Sequence, residues 1–107
     1  MPNHLQVLTT TDSRQAAEQI ARAVVEARAA ACAQIVGPIT STYWWEGKVE
    51  TAEEWQVLMK TTTERYDALE TVIRQAHSYD VPEIIATPVV SGGADYLSWV
   101  TEETRQR

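Results

Sequence analysis

The stretch CAQIVGPITSTYWWEGKVETAEEWQVLMKTT, from Cys32 to Thr62, decides the fold. Glu46-Gly47 supplies a chain reversal at its middle, and the residues on either side are rich in β-branched and aromatic types. The spacing therefore predicts a long β-hairpin with arms Cys32–Trp45 and Lys48–Thr62, the first of them interrupted by Gly37-Pro38. Arms of this length would reach roughly 45 to 50 Å at about 3.3 Å per residue. A compact domain of 107 residues is only about 34 Å across.

A hairpin of that length must project beyond the domain that carries it. Its arms bear large apolar side chains, namely Tyr43, Trp44, Trp45, Trp55, Val57 and Met59. Exposed aromatic rings on a strand edge with unpaired backbone groups would aggregate unless a second copy of the chain covered them. We therefore expect an obligate oligomer. The alternative is a bulged, shorter hairpin that is broken at Gly37-Pro38 and covered by the C-terminal helix.

Periodicity on either side of the hairpin predicts the remaining elements. They are a strand over Leu5–Thr11, a helix from Asp12 or Ser13, a helix from Tyr66 to Ala76, a strand over Pro82–Val90 and a helix from Ala94. The order βαββαβ, followed by a last helix, is that of an α+β, ferredoxin-like sandwich with two helices on one face of a four-stranded sheet. Right-handed crossovers place the first and third strands at its centre. We expect residues 1–107 to form one such domain.

Composition narrows the classes of partner and compartment. Hydrophobic residues at 44% and charged residues at 22% are typical of a globular domain. A net charge of -6 would repel nucleic acid and anionic membrane surfaces. No apolar run approaches the roughly 20 residues that span a bilayer, and no secretion signal is visible at the start of the chain. The single Cys32 suits a reducing compartment, so we expect a cytoplasmic protein.

Five ordered segments of the chain resemble the CutA family. They are ACAQI (Ala31–Ile35), TYWWEGKVE (Thr42–Glu50), LMKT (Leu58–Thr61), HSYDVPEI (His77–Ile84) and ADYLSWV (Ala94–Val100). The resemblance implies a cytosolic, ferredoxin-like homotrimer whose subunits pair through extended hairpins, similar in architecture to the nitrogen-regulatory PII proteins. It also implies a link to divalent-cation tolerance, particularly of copper, with no agreed catalytic reaction.

Two residues are candidate metal ligands. The thiolate of Cys32 is a soft ligand suited to copper(I), although cysteine is also among the most buried residue types, and an inert, packed Cys32 remains the alternative. His77 ends the second predicted helix, with Asp80 and Glu83 nearby. A histidine there can instead be a helix cap or a solvent-exposed residue. A metal site follows only if an oligomer brings His77 of one subunit near Cys32 of another.

A third candidate depends on the removal of Met1. The chain would then begin Pro2-Asn3-His4, and a terminal amine, two backbone nitrogens and the His4 imidazole could form a planar site for copper(II) or nickel(II). The alternative is a polar His4 that simply precedes the first strand. The secondary amine of Pro2 also weakens the case for a chelate.

The resemblance further implies a crevice at the subunit boundary. Its residues are Trp44, Glu46, Lys60, Tyr79 and Glu83. Lys60 lies in an apolar run, so we expect it to meet a carboxylate, with Glu83 as the natural partner, or an anionic ligand. An intersubunit ion pair between Lys60 and Glu83 that only sets the trimer register explains the same residues equally well. The acidic runs Glu50–Glu54 and Glu102-Glu103 are predicted to be solvated faces.

Enzyme motifs are absent from the sequence, which has no phosphate-binding glycine loop, His-Glu-x-x-His, Cys-x-x-Cys or nucleophile elbow. We therefore predict a non-enzymatic, trimeric protein that binds copper or another divalent metal ion as a buffer or sensor, with no organic cofactor. The alternative is a PII-like signalling or interaction module whose crevice takes a small anionic ligand or a partner protein, with metal binding incidental.

Overall fold

The computed structural model describes residues 3–107, and its elements follow the predicted order. They are β1 (His4–Thr11), α1 (Arg14–Glu26), β2 (Cys32–Trp45), β3 (Lys48–Thr62), α2 (Tyr66–Ala76), β4 (Ile84–Pro88) and α3 (Ala94–Glu103). Both arms of the predicted hairpin have the expected bounds. The last strand is shorter than predicted, because its pairing with β1 runs only from Pro88, opposite Leu5, to Ile84, opposite Thr9.

The four strands form one antiparallel sheet in the order β2-β3-β1-β4. The prediction that the first and third strands lie at its centre is confirmed. Helices α1 and α2 bury their apolar faces on one side of this sheet. The core between them consists of Val7, Ala17, Ile20, Val24, Ala29, Ala30, Val57, Met59, Leu69 and Ile73.

Local capping explains where the first two helices begin. The Ser13 hydroxyl accepts a 3.0 Å hydrogen bond from the Ala16 amide, so Ser13 is the N-cap of α1. Before α2, the Thr62 hydroxyl accepts from the amide of Arg65, which is the N-cap residue and offers no side-chain cap of its own. The predicted threonine cap therefore acts on the residue that precedes the helix.

The hairpin continues past its interruption. The ladder shifts between Val36 and Ile39 and then runs from the Ile39–Glu54 pair to the Trp45–Lys48 pair. A side chain at residue 37 would place its Cβ 2.5 Å from the Trp55 ring, so glycine is required there. The alternative of a short hairpin covered by the C-terminal helix is wrong, since α3 packs near the opposite end of β2, where Tyr96 contacts Cys32.

The distal part of the hairpin is exposed, as the length of its arms predicted. The molecule measures 44 × 26 × 21 Å. The side chains of Trp44 and Trp45 are 76% and 57% exposed, and Tyr43 and Val49 are exposed beside them. Exposed aromatic surface of this kind marks an interaction site on a globular protein. No helix of the described chain, residues 3–107, has the length and apolar character needed to cross a membrane.

Candidate functional site

A cleft of about 640 Å³ lies between the hairpin and the loop that joins α2 to β4. Its size is that of small-molecule sites, which span about 300 to 1,000 Å³. The lining residues are Thr10, Ser41, Thr42, Tyr43, Trp45, Glu54, Tyr79, Asp80, Val81 and Glu83. Ser41, Tyr43 and Trp45 alternate along β2, so the extended backbone presents them on one face.

Glu54 and Tyr79 form the polar centre of this cleft. The Tyr79 hydroxyl donates a 2.8 Å hydrogen bond to Oε2 of Glu54. Burial, followed by this hydrogen bond and the charge of the Glu54 carboxylate, raises the pKa of Tyr79 well above its usual range. The phenol is therefore a neutral donor across the physiological pH range, and Glu54 is its acceptor.

His77 holds Tyr79 in place. Its Nδ1 accepts a 3.1 Å hydrogen bond from the Tyr79 amide, and its Nε2 lies 2.8 Å from the carbonyl oxygen of Thr10. Because Nδ1 accepts, the ring proton is on Nε2, which donates to that carbonyl. Thr10 lies one residue beyond the last β1–β4 pair. The imidazole therefore bonds a β1 carbonyl group that lies past the end of the pairing with β4. His77 occupies the C-cap position of α2, but its imidazole contacts Thr10 and Tyr79 and no carbonyl of the helix.

The cleft is acidic. Glu54, Asp80 and Glu83 line it, and among residues 3–107 no lysine or arginine side chain does. None of the ion pairs within the described chain includes any of these three carboxylates. Oε1 of Glu83 accepts a 3.4 Å hydrogen bond from the Thr10 hydroxyl. The charge of the cleft therefore favours cations over anions.

The structure brings together two of the five predicted crevice residues. Tyr79 and Glu83 line the cleft, whereas Trp44 and Glu46 lie at the hairpin tip. Lys60 is six residues from Glu54 along β3, a distance on the order of 20 Å. Its Nζ donates a 3.2 Å hydrogen bond to Gln34, so within one chain Lys60 does not pair with Glu83. The intersubunit form of that pair stays a prediction.

Cys32 lies at the other end of the sheet, opposite Lys60. Its thiol is half-buried and lies 3.3 Å from the Tyr96 hydroxyl. The hydrogen bond with Cys32, together with burial, raises the pKa of Tyr96 to about 12. The Tyr96 ring also packs against the Trp99 ring, with centroids 5.7 Å apart.

The three candidate metal ligands do not converge within the chain. His77 contacts Thr10, opposite Gln56, and Cys32 lies opposite Lys60, four residues further along β3. No group of three or more His, Cys, Asp and Glu side chains in residues 3–107 is placed to hold a metal ion. Any site with several such ligands would therefore need more than one chain.

His4 begins β1, and its ring is anchored on α3. Its Nε2 lies 3.0 Å from the Leu97 carbonyl oxygen and 2.9 Å from the Thr101 hydroxyl. Asn3 accepts a backbone hydrogen bond from Thr63, so this part of the chain already runs along the sheet. Met1 and Pro2, which the predicted chelate requires, lie outside the described residues.

Glu54 is the candidate site residue that sequence reasoning missed. The prediction that Glu50–Glu54 forms a solvated face is wrong for Glu54, which is only 9% exposed. Strand alternation places Glu53 and Glu54 on opposite faces of β3, and the loop carrying Tyr79 covers the second of them. Two adjacent glutamates inside a predicted strand are a usable signal, because strand alternation places them on opposite faces of the sheet.

The architecture defines a small α+β protein of the ferredoxin-like class, with an added C-terminal helix and an acidic cleft at the base of a projecting hairpin. The family model described as CutA1 divalent ion tolerance protein matches residues 5–103. The chain belongs to this family.

Individual relatives agree with the family assignment. The divalent-cation tolerance protein CutA of Thermus thermophilus is 44% identical over 98 residues, which cover 92% of this chain and 95% of that protein. The human Protein CutA is 43% identical, and Protein CutA 1, chloroplastic, of Oryza sativa is 40% identical. The matches cover 89% and 94% of this chain, but only 53% and 56% of those longer proteins.

Solved structures share the fold over nearly the full chain. The CutA of Xylella fastidiosa superposes with a TM-score of 0.94 at 36% identity, covering 96% of this chain and 99% of that one. The protein from Thermus thermophilus gives a TM-score of 0.92 at 42% identity, covering 95% and 99%. One structure, from Archaeoglobus fulgidus, is of a protein named periplasmic, so relatives differ in compartment.

Proposed function

We propose that this protein supports divalent-cation tolerance as a cytoplasmic homotrimer that binds copper or another divalent metal ion, as a buffer or sensor and without catalysis. The family description and the name of the Thermus thermophilus relative refer to divalent-cation tolerance, and neither refers to a reaction. The exposed hairpin is the main support for a trimer. The projecting hairpin bears exposed aromatic rings, which neighbouring chains would bury. No cluster of three candidate ligands lies within residues 3–107, so a metal site with three ligands would take them from more than one chain.

Cys32 is the ligand that we assign to copper. Its thiol is the one soft anionic ligand in the sequence, and its single side-chain hydrogen bond is to a phenol, which a metal ion can displace. His77 is a weaker candidate. Both of its ring nitrogens are already hydrogen-bonded to backbone groups, so coordination would break at least one of those contacts.

Copper(I) titration against a chromophoric chelator tests this assignment. We expect wild type and His77→Ala to compete equally for the metal and Cys32→Ala to compete at least about tenfold less well. Tyr96→Phe is the matched control, because it removes the partner of the thiol and keeps the sulfur. Equal, weak competition by all four proteins would overturn the assignment to Cys32.

A PII-like signalling or interaction module is the second candidate function. The cleft of about 640 Å³ favours it, since a metal ion needs no cavity of that size. An anionic ligand, or the anionic groups of a partner protein, would need a cationic side chain that this chain does not supply to the cleft. Lys60 of another copy is the candidate for that cation. Normal growth of a deletion strain in high copper, together with a defect that copper does not affect, would favour this candidate.

A further inference from the structure

Glu54 is a buried carboxylate without a cationic partner. It is 9% exposed, and no ion pair within residues 3–107 includes it. Its Oε2 accepts from the neutral Tyr79 hydroxyl. Glu54 also lines the cleft, so its carboxylate is accessible to a ligand there. A largely buried carboxylate that lacks an ion-pair partner is costly, so Glu54 marks the place where a cation fits.

The walls around Glu54 suit an organic cation. The rings of Tyr43, Trp45 and Tyr79 line the same cleft, and aromatic faces attract ammonium groups through their quadrupoles. Asp80 and Glu83 add two further carboxylates, and the hydroxyls of Ser41 and Thr42 supply neutral hydrogen-bonding groups. Aromatic walls and anionic groups without a basic side chain are the chemistry of amine recognition.

A bare metal ion fits this cleft poorly. Its carboxylates are not placed as a cluster of three that could hold one ion, within the part of the chain that the structure describes. The volume of about 640 Å³ also exceeds what one hydrated cation fills. The cleft is distinct in place and in chemistry from Cys32, which begins β2 and lies opposite Lys60.

We propose that this cleft binds a small organic ammonium ligand, with Glu54 pairing the charged nitrogen and the ring of Tyr79 packing on its carbon skeleton. The proposal rests on the second candidate function only in treating the cleft as a ligand site. It reverses the charge of the ligand expected there, and it does not depend on metal binding by Cys32. A lysine of a second copy has the same ammonium chemistry, and the variant Lys60→Gln distinguishes it from a free amine.

Calorimetric titration with 1,4-diaminobutane tests the proposal in the intact protein. 1,4-Butanediol, which has the same carbon chain and no charge, is the ligand control. Glu54→Gln keeps an acceptor for the Tyr79 hydroxyl and removes the charge. Glu53→Gln makes the same change on the exposed, neighbouring residue and is the variant control.

We expect saturable binding of the diamine to wild type and to Glu53→Gln, no binding of the diol, and affinity lowered at least about tenfold in Glu54→Gln. Circular dichroism of Glu54→Gln should match wild type, so that the loss reports binding and not unfolding. Equal affinity of the two variants would show non-specific attraction and overturn the proposal. Binding that occurs only after Lys60→Gln would also overturn it, because a lysine of a second copy would then occupy the cleft.

Discussion

The Tyr79 hydroxyl and Oε2 of Glu54 lie 2.8 Å apart, and their hydrogen bond ties the loop after α2 to the root of the hairpin. The imidazole of His77 holds the same loop, since it accepts from the Tyr79 amide and donates to the Thr10 carbonyl. The position of one cleft wall therefore depends on two side chains that act through Tyr79.

Replacing Tyr79 with phenylalanine should change how stability depends on alkaline pH. The folded-state pKa of Tyr79 is raised, so the phenol stabilises the fold fully below the unfolded value of about 10 and loses that contribution as pH rises above it. Between pH 8 and pH 11, wild type should lose about 1 kcal/mol more unfolding free energy than Tyr79→Phe.

Urea unfolding at both pH values measures this difference. Tyr43→Phe, a matched change in the same cleft, should behave as wild type does, because no hydrogen bond within the described residues involves the Tyr43 hydroxyl. Parallel loss of stability in wild type and Tyr79→Phe would contradict the stated role of the phenol.

Replacing His77 with alanine should destabilise the fold by about 1 to 3 kcal/mol, because the change leaves the Thr10 carbonyl and the Tyr79 amide without their partners. His77→Gln, which can restore one of these hydrogen bonds, should recover part of the loss. Denaturant unfolding at one protein concentration measures both variants. Full stability of His77→Ala would show that the imidazole does not position Tyr79.

Truncating Ile73 to alanine should cost about 2 to 5 kcal/mol, because this fully buried side chain joins α2 to the core against α1 and leaves a cavity when shortened. The same truncation at Val25, 37% exposed on the outer side of α1, should change stability by less than about 1 kcal/mol. Thermal unfolding compares the two variants. Equal losses would mean that the core lies elsewhere.

The hairpin and its topology could be predicted because their signals are local. Glu46 and Gly47 adopt positive φ values at the reversal, and the arms keep their predicted bounds. The cleft could not be predicted in the same way, because Glu54 and Tyr79 are 25 residues apart and meet only through the tertiary fold. The family resemblance places Lys60 in the crevice, whereas within one chain its amine donates to Gln34.

Replacing Trp45 with glutamate should disrupt assembly, because a charge would enter the aromatic surface that neighbouring chains are proposed to cover. We expect aggregated material or a partly unfolded monomer, detected by size-exclusion chromatography with circular dichroism. Val25→Glu introduces the same charge on an exposed helix position and should remain assembled. A well-folded Trp45→Glu monomer would show that the hairpin needs no cover.

Sedimentation of the wild-type protein at low micromolar concentration tests most directly whether chains assemble around the projecting hairpin. We expect one species with three times the 12.0 kDa mass of the chain, stable on dilution. A compact, folded particle with the mass of a single chain would contradict it.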